Sequence, residues 1–319
     1  MNKKLIAAAI AAVVAAPAAV AADTTLYGKL HIAIQSNDLG ANDNYSVNNR
    51  TSRIGIKGSE DLGDGLKAIF KLEMAHNMTD NGGGNPFGGR NSYIGLSGGW
   101  GTFLAGRHDT PAKVAWYAAG NDVIGDSIVD FNRIGFTERR LDNAIAYISP
   151  NMSGFTVAAA VVPGEGTTGT NNDINNAYSL AAIYAGGGLK AGIGYEVADK
   201  EYLGGTASDE KMLQVSASYT FGDFMIGGSY QDVSDKGGNS GQDQTVWGLV
   251  AKASFGNNYV MANYGDNDDD TVTNDGTTWG IGVGHKFSKR TQVYAAYDNR
   301  DNGTAADTSA FALGMIHTF

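Results

Sequence analysis

Residues that could perform covalent chemistry are sparse in this chain and poorly placed. Residues 95–99 read Gly-Leu-Ser-Gly-Gly, the spacing of a nucleophile elbow, but the pattern around them predicts strand, turn and strand, with no helix to present Ser97. The glycines at 186–188 imitate part of a dinucleotide-binding fingerprint, and a strand pattern follows them too. Since no nucleophile, base and orienting acid come together, we expect no enzyme activity and no cofactor.

Candidate metal ligands are scattered as well. The five histidines are spread along the chain, with no pair at the spacing of metal ligands. Asp266, Asp268 and Asp270 begin like a calcium-binding loop, but Thr271 stands where that loop needs Gly and Thr277 where it needs the final Glu. We therefore expect no resident metal and interpret 266–276 as a solvated loop.

The first 22 residues have the pattern of a secretory signal peptide. Lys3 and Lys4 precede an apolar run over 5–16, and small residues then offer cleavage after Ala21 or Ala22. We expect residues 23–319 to form a single domain. Loss of the two lysines takes the formal net charge from −10 to −12, which argues against a nucleic-acid partner. With no Cys, disulfides and thiolate chemistry are excluded.

Charged and polar residues recur at every second position through most of the remaining chain. In 65–75 and 211–221 one parity is apolar and the other is polar, and similar patterns cover 189–198 and 277–287. A period of two predicts β-strands with one apolar and one polar face. A soluble β-sandwich would have the same period, so periodicity alone leaves the class open.

Three further features favour a transmembrane barrel over a sandwich. Aromatic residues such as Tyr219, Phe255 and Phe287 stand at the ends of apolar faces, as at a membrane interface. The other face is rich in Gly, Ser, Thr and charge, which suits a wet lumen. Short turns alternate with long polar segments, which are 36–50, 76–89, 163–176, 199–210, 233–244, 266–276 and 300–307. The strands number about sixteen, so we predict an all-β, antiparallel barrel with an aqueous lumen.

Residues 26–30 (Leu-Tyr-Gly-Lys-Leu), 53–58 (Arg-Ile-Gly-Ile-Lys-Gly) and further short motifs, in order along the chain, resemble general Gram-negative outer-membrane porins. Residues 26–30 resemble the family's first strand, and 53–58 with 60–68 resemble its second strand, turn and third strand. Residues 101–107 resemble the fifth strand, and 311–319 end in Phe319 as the family does, although His317 stands where an aromatic is usual. The resemblance implies a sixteen-stranded homotrimer in the bacterial outer membrane, in contact with lipid and lipopolysaccharide.

In such porins the third long loop folds into the barrel and narrows the pore. Here the long segment without alternation, 108–139, takes that place. The resemblance implies an acidic loop facing a basic wall, whose field would admit small polar solutes and ions and reject apolar ones. By motif position the acids are Asp122, Asp126 and Asp130, and the bases are Lys29, Arg53, Arg90, Arg107 and Arg140.

The function predicted from the sequence is therefore passive diffusion of small hydrophilic solutes through a water-filled channel. The alternative is a solute-specific porin, with a sugar preference kept open by Trp116, Tyr117 and Phe131 or an anion preference carried by the bases. A barrel enzyme or an adhesive barrel is disfavoured by the missing catalytic set and by the glycine-rich inner faces. From the acidic outer loops we expect mild cation preference that fades as salt rises.

Overall fold

The computed structural model describes residues 23–40, 43–79, 87–165, 173–204, 206–270, 275–303 and 306–319. The predicted signal peptide, 1–22, lies outside the described residues. Among those described, no helix combines the length and apolar character needed to cross a membrane.

Antiparallel strands make up nearly all of the regular structure. The strands are β1 Asp23–Asp38, β2 Asp43–Asn49, β3 Arg53–Gly63, β4 Leu66–His76, β5 Phe87–Gly98, β6 Gly101–Asp109, β7 Arg140–Ile148, β8 Phe155–Val162, β9 Ala177–Gly186, β10 Leu189–Ala198, β11 Glu210–Phe221, β12 Phe224–Ser234, β13 Gln244–Phe255, β14 Asn258–Asp269, β15 Gly276–Lys286, β16 Thr291–Arg300 and β17 Thr308–Thr318. One α-helix, α1 (Pro111–Ala118), and two 3₁₀ turns, Phe131–Ile134 and Lys236–Gly238, complete the described elements.

The strands close into one barrel. From β3 to β17 each strand pairs with the next, and β17 returns to β1 with Lys29 opposite Thr318. Both β2 and β3 pair with the same edge of β1, so the seventeen segments occupy sixteen positions around the ring. The prediction of a sixteen-stranded antiparallel barrel is confirmed. Closure gives β1 and each described strand from β3 to β17 a paired neighbour on both sides, as a structure surrounded by hydrocarbon requires.

Burial is inverted relative to a soluble protein. On β4, Leu72 is 56% exposed while the neighbouring Glu73 is 4% exposed, and on β11 the exposed Leu213 and Val215 alternate with buried Gln214 and Ser216. Apolar side chains therefore face outward and polar side chains face inward, which is the arrangement predicted from the period-two pattern.

Aromatic rings border the apolar outer surface at both ends of the strands. Tyr219, Phe221 and Phe224 stack near one short turn, with ring centroids 6.2 and 5.8 Å apart. Near the long-loop ends, Trp247 lies 5.7 Å from Tyr264 and Trp279 lies 5.5 Å from Tyr297. Two belts of this kind match the two interfaces of a bilayer.

Two segments assigned to long loops contain strand. The interpretation of 36–50 as a loop is wrong for most of its length, because β1 continues to Asp38 and β2 pairs back on Ile32–Asp38. Likewise, β14 continues to Asp269 within the predicted loop 266–276. These strand ends rise beyond the apolar belt, where polar side chains on both faces hide the period-two signal.

Candidate pore constriction

The longest irregular segment, 110–139, leaves β6 and packs on the inward faces of the strands. The Thr110 side chain caps α1 by accepting a hydrogen bond from the Lys113 backbone N–H at 3.1 Å, and Pro111 opens the helix with its fixed φ. The helix packs on β9, β10 and β11 and buries Ala112 and Ala115, while Trp116 is buried against Phe131 and Phe136 of the same segment.

Glycines on the inner wall provide the space for this segment. A methyl group added at Gly194 would lie 2.5 Å from Ala112 Cα, and one at Gly248 would lie 2.7 Å from Phe131 Cζ. Gly282 has the same relation to Ile124, with a methyl group 2.7 Å from its Cδ1. The glycine-rich inward face of the barrel therefore lets the segment 110–139 pack directly against the backbone of the strands.

Side-chain hydrogen bonds also hold the segment on the inner wall. The Asn121 side-chain amide donates to Ser216 Oγ at 3.0 Å and to the Gly228 carbonyl at 2.9 Å, which joins the segment to β11 and β12. The Gln231 side chain accepts from the Thr137 N–H at 2.6 Å and donates to the Thr137 carbonyl at 2.9 Å. Buried inward-facing amides thus add polar attachments to the hydrophobic cluster that residues such as Ile124 and Phe131 of the segment form with Val250 and Met261 of the wall.

Asp126 connects the segment to the basic wall. Its carboxylate lies 2.6 Å from Lys29 Nζ and 3.8 Å from Arg53 Nη1, and it accepts a 2.9 Å hydrogen bond from Thr51 Oγ1. Burial opposes ionisation here, but the charge and hydrogen bond of Lys29, with Thr51 and Arg53, outweigh it and lower the pKa of Asp126. The carboxylate is therefore ionised, and it joins a strand-borne base to the loop.

The other two predicted acids accept hydrogen bonds from the backbone of the loop itself. Asp130 caps the 3₁₀ turn by accepting from the Asn132 N–H at 2.8 Å, and it accepts from the Asp126 N–H at 2.5 Å. The Asp122 carboxylate accepts from the Phe131 N–H at 3.4 Å. Burial, then the charge of Asp126, raises the pKa of Asp130 to about 6, and burial with the charges of Asp130 and Asp126 raises the pKa of Asp122 well above its ordinary value.

Arg90 and Arg140 find acids on the wall rather than on the loop apex. Arg90 Nε lies 2.7 Å from Glu73 Oε1, and Lys71 Nζ lies 3.2 Å from Glu73 Oε2. Arg140 Nη2 lies 2.8 Å from Asp109 Oδ1, at the point where β6 ends. The basic wall is therefore a chain of alternating charges.

Lys113 of α1 continues this chain onto the loop. Its Nζ lies 3.2 Å from Asp109 Oδ1 and 2.9 Å from Glu138 Oε2, and the Tyr117 hydroxyl donates to Glu138 at 2.5 Å. The helix face that carries Lys113 and Tyr117 is separate from the buried face of Ala112, Ala115 and Trp116.

Arg107 does not join this group. It pairs with Asp142, and it shares a strand parity with the outward-facing Phe103 of β6. Its separation follows from this parity, which places it on the opposite face from the inward-facing bases.

Sequence reasoning missed Glu73, Lys113 and Thr51 as members of the site. Glu73 shares the inward parity of Lys71 on β4, and that parity was the available signal. The aromatic residues proposed for sugar contact divide differently: Trp116 and Phe131 are buried in the packing of the loop, and Tyr117 is 38% exposed. Only one of the three can meet a solute, so the sugar-specific alternative loses its aromatic surface.

Comparison with known proteins agrees with this architecture. A sequence model described as Gram-negative porin matches residues 7–305. Outer membrane porin protein 32 of Delftia acidovorans is 33% identical over 258 residues, covering 74% of this chain and 71% of that protein. Major outer membrane protein P.IA of Neisseria meningitidis serogroup B is 26% identical over 338 residues, covering 83% of each.

Solved structures show the same barrel. An anion-selective porin from Comamonas acidovorans superposes with a TM-score of 0.74 at 25% identity, covering 94% of this chain and all of that one. OmpF of Salmonella typhi superposes with a TM-score of 0.70 at 14% identity, covering 93% of this chain and 97% of that one, a likeness of fold alone. A closed barrel with an inverted surface and a match over most of the chain place the protein in the Gram-negative porin family, as an outer-membrane channel for small hydrophilic solutes.

Proposed function

We propose that the pore is screened by the alternating charges around Asp126. The observation that carries the proposal is the contact of Asp126 with Lys29 and Arg53, because it brings the apex of an inward loop against bases on the opposite strands. Arg90 and Arg140, held by Glu73 and Asp109, extend the charged border. Such a border binds water strongly, so small ions and dipolar solutes pass and apolar molecules are rejected.

The proposal includes the biological setting. Residues 1–22 direct export and are removed, and 23–319 form one barrel domain. Membership of the family supports a homotrimer surrounded by lipid and lipopolysaccharide. Asp266 and Asp268, on the outward parity near the long-loop end of β14, are candidates for weak divalent-ion bridges to lipopolysaccharide. The protein acts as a channel and not as an enzyme.

Purified protein in planar bilayers tests the proposal. We expect open channels in potassium chloride that appear in steps of three conductance units. A folded protein that never conducts would refute the channel, whereas single-unit steps would refute the trimer alone. Replacing Arg53 and Arg90 with Gln should move ion preference toward cations, and an unchanged reversal potential would refute their place at the constriction.

Anion selectivity is the second candidate, and one comparison favours it. The similar solved structure from Comamonas acidovorans is described as anion-selective. The net charge of −12 without residues 1–22 and the acidic outer loops predict the opposite, mild cation preference. Reversal potentials across a potassium chloride gradient at two ionic strengths separate the two, because charges at the mouth are screened by salt more completely than charges in the constriction.

A further inference from the structure

Basic residues in the lumen fall into two groups according to whether they have an acidic partner. Several of those around the inward loop are paired, as Lys29, Arg90 and Arg140 show. Lys252 on β13 and Lys286 on β15 are also on inward parities, yet no carboxylate in the described part of the chain lies within 4.0 Å of either ammonium group. Their charge is therefore available to a solute.

Both lysines border one cavity of about 610 Å³ between the inward loop and the short-turn rim. Val123 of the loop lines one side, and Lys289 and Arg290 of the turn between β15 and β16 line the other. Among the described residues lining the cavity, four are basic and none is Asp or Glu. In a chain with net charge −10, this concentration of one sign is a local departure from the average.

A tyrosine holds the two lysines in place. Tyr259 of β14 lies between them in the sheet and is buried, with Gly284 leaving room for its ring. Lys252 Nζ lies 5.2 Å and Lys286 Nζ 5.7 Å from the ring centroid, both within cation–π range. Ammonium groups positioned before a solute arrives lose less freedom when it binds.

Hydrogen-bond donors and acceptors complete the lining. Asn257 and Gln292 border the same cavity, and the Tyr259 hydroxyl lies 3.5 Å from Gln292 Oε1. These amides can donate to oxygens that the ammonium groups leave free. A lining of positive charge with neutral donors matches a solute that carries several negatively charged oxygens.

We propose that Lys252, Lys286, Lys289 and Arg290 form a subsite for small multivalent anions on the short-turn side of the constriction. A multivalent anion contacts two or more of these bases at once, whereas chloride or acetate contacts them singly. The subsite would slow multivalent anions as they pass and leave small monovalent ions unaffected. The inference rests on the proposed channel function, and it adds a binding step to that function.

Citrate block of single-channel current tests the subsite. Wild-type channels in potassium chloride free of divalent ions receive citrate on each side in turn, with acetate as the monovalent comparator. We expect transient closures with citrate, stronger from one side, and none with acetate. Because each exposed pairing contributes modestly, the double variant Lys252→Gln/Lys286→Gln should raise the half-blocking citrate concentration about tenfold.

Matched variants separate the subsite from general loss of charge. Lys211→Gln removes an exposed lysine on the outward parity of β11 and should block like wild type, whereas Lys252→Arg/Lys286→Arg should retain the block. If the double Gln variant does not assemble, Lys286→Gln alone should still raise the half-blocking concentration. Unchanged citrate block in the Gln variants, with normal conductance, overturns the subsite and leaves the channel intact. A wild-type protein that does not conduct overturns both.

Discussion

Replacing Asp126 with Asn removes one negative charge from the proposed constriction with little change of shape. The φ of Asp126 is +64°, a left-handed conformation that Asn tolerates better than most residues, so the loop backbone should be retained. The amide can still accept from Thr51 and Lys29, while its charge is gone. The variant therefore isolates the electrostatic contribution of this side chain.

The size of the effect follows from Coulomb's law. For an ion passing about 6 Å from the carboxylate in water, the interaction is about 0.7 kcal/mol, and at ~0.15 M salt, with a Debye length of about 8 Å, screening reduces it to about 0.3 kcal/mol. Cations lose this attraction and anions lose an equal repulsion, so the ratio of chloride to potassium permeability should rise about threefold, and about tenfold at very low salt.

Reversal potentials across a potassium chloride gradient measure this ratio. Asp122→Asn is the control, because the Asp122 carboxylate accepts from the Phe131 N–H within the loop and has no basic partner within 4.0 Å among the described residues. Burial and the neighbouring Asp130 and Asp126 charges also raise its pKa. A larger shift for Asp122→Asn than for Asp126→Asn would refute the assignment of Asp126 to the ion path. So would a shift that does not grow as salt is lowered.

Three further perturbations test the inward loop and its packing on the barrel wall. Because the pKa of Asp130 is raised to about 6, its carboxyl holds a proton more tightly in the folded loop than in the unfolded chain, and loop packing should weaken as pH rises from about 4 to about 6. Acidification to about pH 5 should protonate Asp130 and shift ion permeability toward anions in the wild type but not in Asp130→Asn. Gly248→Val should lower the free energy of unfolding by about 1–3 kcal/mol in urea titrations, because its side chain overlaps Phe131, whereas Gly99→Ala, with open space around it, should not. Arg139→Met should lower the free energy of unfolding by about 3–5 kcal/mol, because it leaves Glu196 and Glu210, 2% and 3% exposed, without their countercharge. Loss of the exposed Lys200 should lower it by about 1 kcal/mol or less. Gel migration after heating ranks the stability of the two variants, and equal losses would contradict the reasoning.

The barrel was predictable because lipid imposes a strict rule on each strand. Every second residue between the aromatic belts must be apolar, so Leu72 and Glu73 could be assigned to opposite faces from the sequence alone. Outside the belts that rule ends. Residues 43–49, rich in Asn and Asp, pair with β1 through backbone hydrogen bonds that no side-chain period reports.

The sequence predicted which kinds of charged residues form the proposed constriction, but only partly which of them pair with each other. Asp126, Lys29 and Arg53 come together as the family resemblance implies. The partner of Arg90 depends on a register irregularity between Leu72 and Met74, where two residues of β5, Arg90 and Asn91, stand opposite Glu73 alone. This irregularity has no sequence signature. The roles of Asp122 and Asp130 depend on the local backbone of the loop, and residue type alone does not distinguish a capping acid from one that faces the pore.

The seam between β1 and β17 sets a condition on assembly. It joins the strands that are farthest apart in sequence, and it is reinforced where Gly28 and Phe319 exchange two backbone hydrogen bonds of 3.0 and 3.1 Å. Loop-closure entropy is greatest for such a pairing, so it should form late and slowly. Until it forms, β1 and β17 each present an unpaired edge. In water such an edge is a template for aggregation, and in hydrocarbon its unpaired backbone groups carry a large free-energy cost. The nascent chain must therefore be shielded until its two ends meet, and insertion and closure are expected to be one coupled event.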